Sequence, residues 1–415
     1  MIRLKFSKTT IVNLTIASII PFLIWGPFFP DLILSISSLS FLYFIFNNNN
    51  FKYLNHTPFI IFLLFCVVTT ICSLESENIS LSIKSSLFYF RIGIFSCLIW
   101  YLIDKEKSIL LYFYYALILC FSILVIDGYF QYFTGKNILG FKIEGIRVSS
   151  FFGDELIMGS YLSRLFPLLF ALFIIKSKKK FEIYFIGLLF ITVDVLIYLS
   201  GERSSFFFLN LSTIFIIILI KEFQKFRLIT FITGIIIVFI ISLFSPNLTQ
   251  RMIKTPINNM GFKSSQTQII FTKVHDSMFR TAYKAFEDKP ILGHGPKMFR
   301  EICKNEKYAV GSSPCSTHPH NFYLQLLSET GILGAIFLFM AFFYVLYISL
   351  IHLKSIILKQ KRVLTDYQVC LLAGILITVW PLTTNGNFFH NWLMVVYSLP
   401  VGFYLQSIYS KKSKK

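Results

Sequence analysis

Residues 109–126 read ILLYFYYALILCFSILVI, eighteen positions without a charged side chain. As a helix, a run of this length crosses the roughly 30 Å of hydrocarbon in a membrane. Similar apolar blocks alternate with short polar stretches along the whole chain, so that 55% of its 415 residues are hydrophobic and 14% are charged. Soluble domains carry about 25% charged residues. The sequence therefore predicts an all-α, polytopic membrane protein with about 12 transmembrane helices. The predicted spans are residues 10–27, 31–47, 58–74, 84–103, 109–131, 161–175, 182–200, 204–220, 228–244, 332–353, 367–384 and 389–408.

The distribution of Lys and Arg predicts which side of the membrane each loop faces. With a cytoplasmic N-terminus, the inner segments hold 21 of the 39 basic residues, whereas the short outer loops at 28–30, 75–82 and 385–388 hold none. Residues 1–10 are basic and lead into the first block, which ends without a small-x-small cleavage site, so we expect an anchor rather than a cleaved signal peptide. We expect a multi-pass protein of the bacterial inner membrane with both termini in the cytoplasm. Because so many basic residues lie in the short segments between apolar blocks, the net charge of +19 indicates contact with membrane lipids, not with nucleic acid.

This topology divides the chain into three parts. Residues 1–244 would form transmembrane helices 1–9, residues 245–331 a large periplasmic loop, and residues 332–415 helices 10–12 with a basic cytoplasmic tail. The loop contains 11 Lys and Arg against 6 Asp and Glu. This charge indicates either a solvated surface or attraction of an anionic substrate at the outer leaflet. Cys303 and Cys315 in the loop would form a disulfide in an oxidising compartment, or remain two free thiols.

The loop ends in the motif Thr317-His-Pro-His-Asn, which leads into a helical pattern. Pro319 favours an extended approach, and Asn321 can cap the helix that follows. These features place His320 at the mouth of a helix at the outer membrane face, where a neutral imidazole can accept a proton from a hydroxyl group. The alternative for His320 and for His318 is an ordinary surface histidine. We predict no metal site, because no acidic residue keeps a recognisable ligand spacing with the histidines of the loop.

Several basic residues offer groups for a phosphate. Glu202 and Arg203 form a short polar turn between two apolar blocks, and a guanidinium fork suits phosphate oxygens. Arg147 lies ahead of the sixth span, where it could line a cavity mouth. Arg280 and Lys284 are four residues apart, so they share one face of a predicted interfacial helix that could hold a pyrophosphate. The alternatives are a surface turn and cations that snorkel over lipid headgroups.

Four further charges lie within apolar blocks. Arg91 is in the middle of a span, where an Arg costs roughly 2.5–3.5 kcal/mol, so it should face a cavity or a partner. Asp127 and Asp194 are comparable charges of opposite sign. For these three residues, both structural pairing and substrate contact remain open. Arg164 lies at the start of the sixth span and is either a phosphate contact or a snorkelling cation.

The order of these motifs resembles the O-antigen ligase and O-antigen polymerase superfamily. A span-rich N-terminal half is followed by the outer Ser-Gly-Glu-Arg-Ser-Ser turn and by the large loop. In the ligases, a His with Asn, Ser or Gln after it is separated by nine residues from Gly-x-x-Gly. Here nine residues separate His320-Asn321 from Gly331-Ile-Leu-Gly334. The resemblance covers most of the chain and is best from about 145 to 340, although Ala335-Ile336 stands where ligases often have two Thr.

The resemblance implies a metal-independent, inverting transfer from an undecaprenyl-diphosphate-linked glycan, without a cofactor. His320 would be the general base or would position the acceptor, and Arg203 and Arg280 would bind the diphosphate, so these three are predicted to be catalytic. Substrate contacts are predicted for Arg147, Lys284, His318, Asn321 and Glu202.

Two activities of the superfamily remain open. A ligase would transfer O-antigen or a related polysaccharide to lipid A–core, whereas a polymerase would extend another carrier-linked chain. A polytopic transporter or flippase is a third hypothesis, for which polar residues near the membrane midplane would be typical. Convergence of Arg203, Arg280 and His320 in a pocket at the outer face would favour the transferase.

Overall fold

The computed structural model describes residues 8–176, 179–259 and 271–410. Helices account for 74% of the residues. The described residues contain no strand and only isolated β-bridges, in the segment 136–147. The predicted all-α class is confirmed.

The helices are numbered in chain order. The first eleven are α1 (Lys8–Ala17), α2 (Ile19–Trp25), α3 (Phe28–Asn47), α4 (Thr57–Leu74), α5 (Ile79–Ser86), α6 (Phe90–Lys105), α7 (Ile109–Thr134), α8 (Met158–Lys176), α9 (Lys180–Leu199), α10 (Arg203–Leu219) and α11 (Gln224–Phe244). The predicted loop holds α12 (Pro246–Thr249), α13 (Thr255–Asn259), α14 (Lys273–Asp288) and α15 (Phe299–Ile302). They are followed by α16 (Phe322–Ile357), α17 (Asp366–Thr378) and α18 (Asn391–Tyr409).

Each predicted apolar block coincides with one helix or with two consecutive helices. Among the described residues, 8 helical segments are long and apolar enough to cross a membrane, and three shorter apolar helices accompany them. The chain therefore has the helices of a multi-pass membrane protein. The count of twelve spans and the placement of the loop in the periplasm stay predictions.

Helix α8 forms the centre of the bundle, since 89% of its most apolar 18-residue stretch is buried inside the protein. It packs against α7, α10 and α17. Gly374 of α17 lies where three helices meet, since a Cβ atom there would be in ordinary van der Waals contact with Pro400 of α18 at 3.4 Å and with Pro167 of α8 at 3.6 Å. The residues at the start of α8 therefore lie inside the bundle and not at its lipid-facing surface.

Two ion pairs inside the bundle answer the question raised by the charges in apolar blocks. Arg91 pairs with Asp31 at 2.7 Å and joins α6 to α3. Arg227 donates two hydrogen bonds to Asp194, at 3.1 and 3.2 Å, and a third to Thr213, which joins α9, α10 and α11. Both pairs are structural, because the partly buried Arg91 and the fully buried Arg227 each have a carboxylate within the protein.

Asp127 fixes the loop that follows α7. Its carboxylate accepts hydrogen bonds from the hydroxyl group of Ser150 at 2.5 Å and the backbone N–H of Ile138 at 2.9 Å. It is buried, so these contacts replace water around the charge. Asp127 thus has a structural position, and it holds the segment that leads to Arg147.

Helix α16 starts ten residues earlier than the predicted span, and a break at Gly331 divides it (φ 60°, ψ −165°). Residues 290–295 of the loop lie in this break. Their backbone N–H groups donate to the carbonyls of Ser328 and Glu329 at 3.0 and 2.7 Å, while the N–H of Ile332 donates back to them at 2.8 Å. We call this contact the backbone lock. It satisfies the main-chain groups that the break leaves unpaired.

Glycines make the backbone lock possible. A Cβ atom on Gly331 would lie 2.2 Å from the carbonyl oxygen of Ile291, and one on Gly293 would lie 2.5 Å from the carbonyl carbon of Glu329. Both glycines also have positive φ angles, which L side chains rarely adopt. The segment Leu292-Gly-His-Gly295 and the motif Gly331-Ile-Leu-Gly334 are therefore the two sides of one contact.

Candidate functional site

Three arginines face one open cavity of about 570 Å³, which we call the arginine cavity. Arg147 comes from the loop between α7 and α8, and Arg203 is the first residue of α10. Arg251 lies in a single π-helical turn of residues 250–254, directly after α12. Arg203 was predicted to bind the diphosphate and Arg147 to contact the substrate, and both line this one cavity.

Hydrogen bonds to backbone carbonyls hold two of these guanidinium groups. Arg147 donates from Nη2 to Leu156 at 3.0 Å, and Arg251 donates from Nε to Gly201 at 2.9 Å. The buried Nε of Arg147 has no partner among the described residues. Burial lowers the pKa of Arg147, Glu202 raises it in part, and the charge of Arg251 lowers it again. Cations that repel one another in a shared cavity favour the binding of an anion.

Glu202 holds helices together and does not line the cavity. Its carboxylate accepts hydrogen bonds from the backbone N–H groups of Gly159 at 2.7 Å and Ser160 at 3.0 Å, and from the hydroxyl group of Ser205 at 2.8 Å. It is buried between the start of α8 and the start of α10. Glu202 therefore positions Arg203, its neighbour in the chain, whereas the predicted substrate contact has no support in this geometry.

Three histidine rings form a cluster beside the arginine cavity. The ring centroids of His318 and His320 are 4.1 Å apart, and His275 of α14 meets His320 edge-on at 5.4 Å. The hydroxyl group of Thr272 lies 2.7 Å from Nδ1 of His275, and that of Thr317 lies 2.9 Å from Nδ1 of His318. These contacts fix the two outer rings, and the ring of His320 lies against both.

The backbone around His320 is held in an uncommon conformation. His320 has φ 57°, and its carbonyl oxygen accepts a hydrogen bond from the N–H of Asn385 at 2.7 Å. Asn321 caps α16 as predicted, because its side chain accepts from two N–H groups of the first turn. The same side chain donates to the carbonyls of Pro381 and Thr383 at 2.8 and 3.1 Å. Asn321 is thus a structural cap that joins α16 to the segment before α18.

All three rings of the cluster are held neutral at physiological pH. Burial lowers the pKa of His320, and the backbone of Asn385 raises it only in part. Burial lowers the pKa of His318 to about 3, with a contribution from His320. Burial, then His320 and then Arg203, lower the pKa of His275 to about 4. The charge of Arg203 thus acts on the ring of His275, which puts the arginine cavity within electrostatic range of the histidine cluster.

Arg280 and Lys284 lie on another face of α14. Positions 275 and 280 are separated by about 140° around a helix axis. Arg280 pairs instead with Asp276, at 2.8 Å, and its side chain is 56% exposed. With Lys284 it lines a mostly apolar groove of about 450 Å³ against Leu324. The structure thus joins Arg203 to the histidine cluster, whereas the predicted place of Arg280 in the same pocket is not seen among the described contacts.

Sequence reasoning missed Arg251 as a site residue and considered His275 only as a metal ligand. Arg251 follows a span without a local motif, and His275 precedes His320 by 45 positions. Only the tertiary fold brings them to the site, so no short spacing could have identified them. Among the described residues, no group of three or more His, Cys, Asp or Glu could hold a metal ion.

The Cys303–Cys315 disulfide is present, which decides between the two predicted alternatives. It joins the end of α15 to the residue before Ser316. The hydroxyl group of Ser316 lies 3.4 Å from Nε2 of His320. The disulfide therefore restrains the segment that carries the histidines.

Residues 185–339 match the family model described as O-Antigen ligase. No curated protein matches the chain. The matched segment contains Arg203, Arg251 and the three clustered histidines, while Arg147 and Asn385 lie outside it. The match supports, for residues 185–339, the resemblance to the O-antigen ligase family stated from the motifs.

Proposed function

We propose that this chain, which carries an O-antigen ligase family domain at residues 185–339, transfers a glycan from undecaprenyl diphosphate to a hydroxyl group of lipid A–core at the outer face of the bacterial inner membrane. One observation carries the proposal: a cavity lined by three arginines lies within electrostatic range of a neutral histidine cluster, since the charge of Arg203 acts on His275. A lipid diphosphate needs the cations, and a hydroxyl nucleophile needs the base.

The reaction follows from these two parts. The arginine cavity holds the diphosphate, and His320 accepts the proton of the acceptor hydroxyl group. The acceptor oxygen forms a bond to the anomeric carbon while the bond from that carbon to the diphosphate oxygen breaks, which inverts the configuration. The leaving lipid diphosphate keeps the electron pair, and its added charge is stabilised by Arg147, Arg203 and Arg251. The proton passes from His320 to solvent.

His320 is the favoured base because of its position within the cluster. It is half-buried and touches both other rings, whereas His318 is buried. His275 has its Nδ1 engaged by Thr272 and lies on the side of the cluster next to Arg203. We infer that His275 and His318 form the walls that keep the imidazole of His320 neutral and oriented.

The disulfide supports an outer position for the site. Disulfides persist in oxidising compartments such as the periplasm, and the loop that holds Cys303 and Cys315 also carries the histidines. The same site would serve a polymerase, in which the acceptor hydroxyl belongs to a second carrier-linked glycan. The nature of the acceptor separates the two activities.

The test is complementation of a deletion strain with His320→Ala. We expect full insertion and folding but loss of glycan-capped lipid A, because no base remains to accept the hydroxyl proton. Lys304→Ala is the matched control, since Lys304 is exposed on the same loop. Single repeat units on lipid A in the deletion strain would indicate a polymerase instead. Wild-type capping by His320→Ala would remove the proposed base.

A further inference from the structure

Arg164 is a buried cation without a carboxylate partner among the described residues. Its residue is 5% exposed, in the second turn of the central helix α8. Nη2 donates to the side-chain oxygen of Asn385 at 2.7 Å, and Nε donates to the hydroxyl group of Ser160 at 3.3 Å. Within the described part of the chain, Nη1 has no hydrogen-bond partner and Arg164 forms no ion pair. The alternative of a snorkelling cation is wrong, since the side chain points into the bundle.

Two other arginines of the bundle have the carboxylate partner that Arg164 lacks among the described residues. Arg91 and Arg227 each have an aspartate within the protein, at 2.7 and 3.1 Å. Arg164 has only neutral neighbours at its polar atoms, and its guanidinium lies 4.7 Å from the ring centre of Phe208. A buried charge that stays unpaired is costly, so a fold that retains one gains when an anion arrives.

Two more buried side-chain nitrogen atoms, one in Asn385 and one in His318, also lack hydrogen-bond partners among the described residues. Asn385 is 5% exposed, and its Nδ2 has no partner among the described residues. Nε2 of His318 is also unpartnered there, and the ring of His318 lies 4.1 Å from that of His320. Asn385 links these groups, because its side chain accepts from Arg164 and its backbone N–H donates to the carbonyl of His320, the proposed base.

We propose that Arg164, Asn385 and His318 form a second anion-binding site, enclosed in the bundle and distinct from the open arginine cavity, which takes a charged oxygen of the substrate. This rests on the proposed function only in that the anion belongs to a glycosyl-transfer substrate. The chemistry fits a phosphoryl oxygen of the donor or the carboxylate of an acidic acceptor sugar. All three residues offer donors, which suits an oxyanion.

The test measures thermal unfolding of the full-length protein in detergent, with and without sodium pyrophosphate or sodium glucuronate. We expect pyrophosphate to raise the Tm of the wild type and Arg164→Gln to weaken its binding about tenfold or more, because a hydrogen bond to a charged group is lost. Without ligand, Arg164→Gln should keep or raise the Tm, since it removes an unpaired buried charge. A stabilisation by glucuronate alone that Arg164→Gln abolishes would support the site and assign it to an acidic sugar.

Two comparisons make the test decisive. Arg227→Gln strands Asp194, so it should lower the Tm without ligand and leave the pyrophosphate shift in place. If Arg164→Gln also lowers the Tm without ligand and leaves the pyrophosphate shift in place, Arg164 is structural and the proposal is refuted. A shift that Arg203→Gln removes and Arg164→Gln leaves intact would also overturn it, as would the absence of any shift in the wild type. Loss of the shift in Arg164→Gln in a protein without transferase activity would sustain the anion site and refute only the proposed function.

Discussion

His320 combines a strained backbone with a neutral ring. A positive φ angle costs a residue with a Cβ atom about 1 kcal/mol or more. Here the N–H group of Asn385 donates a hydrogen bond to the carbonyl oxygen of His320 and so holds this backbone conformation. Burial then keeps the proton off the imidazole. A ring that is both fixed and unprotonated is ready to accept a proton from a hydroxyl group without prior rearrangement.

The pH dependence of the reaction follows from this burial. The ordinary pKa of an imidazole is about 6.5. Because the pKa of His320 is lowered, its base form persists below that pH, and we expect kcat/KM to stay level as pH falls to about 6.5 and to drop only further below. The measurement is the pH profile of glycan transfer in purified protein. A half-maximal rate at or above pH 7 on the acid side would point to another base.

Arg203 and Arg280 differ in a way that can be measured. Arg203→Lys should lower kcat/KM about tenfold or more, because a point charge replaces a fork of donors in the arginine cavity. Arg280→Lys should have a much smaller effect, since Lys can keep an exposed pair with Asp276. Equal losses in the two variants would restore the predicted convergence of Arg280 with His320.

The helices show which features a sequence can predict. The apolar blocks located the long apolar helices, though not the short helices of the loop or the start of α16, because about 20 apolar residues have few alternatives to a membrane helix. The break in α16 was missed, since Gly331 sits in a pattern that reads as continuous helix on both sides and the residues that fill the break lie some forty positions earlier. The partners of Arg91 and Asp194 were missed for the same reason: pairing between distant helices leaves no local pattern. Half of the site could be predicted from motifs, and Arg251, His275 and Asn385 required the fold.

The backbone lock should depend on the absence of a side chain at Gly331 and not only on its positive φ angle. Gly331→Ala places a Cβ atom 2.2 Å from the carbonyl oxygen of Ile291, so we expect a loss of at least about 2 kcal/mol in the free energy of unfolding. Gly135→Ala is the matched control, because Gly135 also has a positive φ angle but open space around it. Thermal unfolding in detergent compares the two. Similar losses would mean that the steric contact contributes nothing.

At the scale of the molecule, the question is which face of the bundle carries the site. All five free cysteines among the described residues are buried, so single introduced cysteines can be labelled against a low background. We expect Asp154→Cys to react with an impermeant maleimide in cells whose outer membrane alone is permeabilised, because with a cytoplasmic N-terminus the segment between the predicted spans 109–131 and 161–175 lies on the outer side. Gln360→Cys, on a predicted inner loop, should react only after the inner membrane is opened. The reverse pattern would place the histidine cluster in the cytoplasm and exclude the proposed reaction.

The lock between residues 290–295 and the divided helix uses main-chain atoms on both sides. The contact therefore constrains the length of the segment and the two glycines Gly293 and Gly331, but not the other side chains: Ile291 can be exchanged, whereas one extra residue would shift every donor past its acceptor. Insertions should be tolerated only outside residues 290–295, and natural variation in loop length should begin after residue 295.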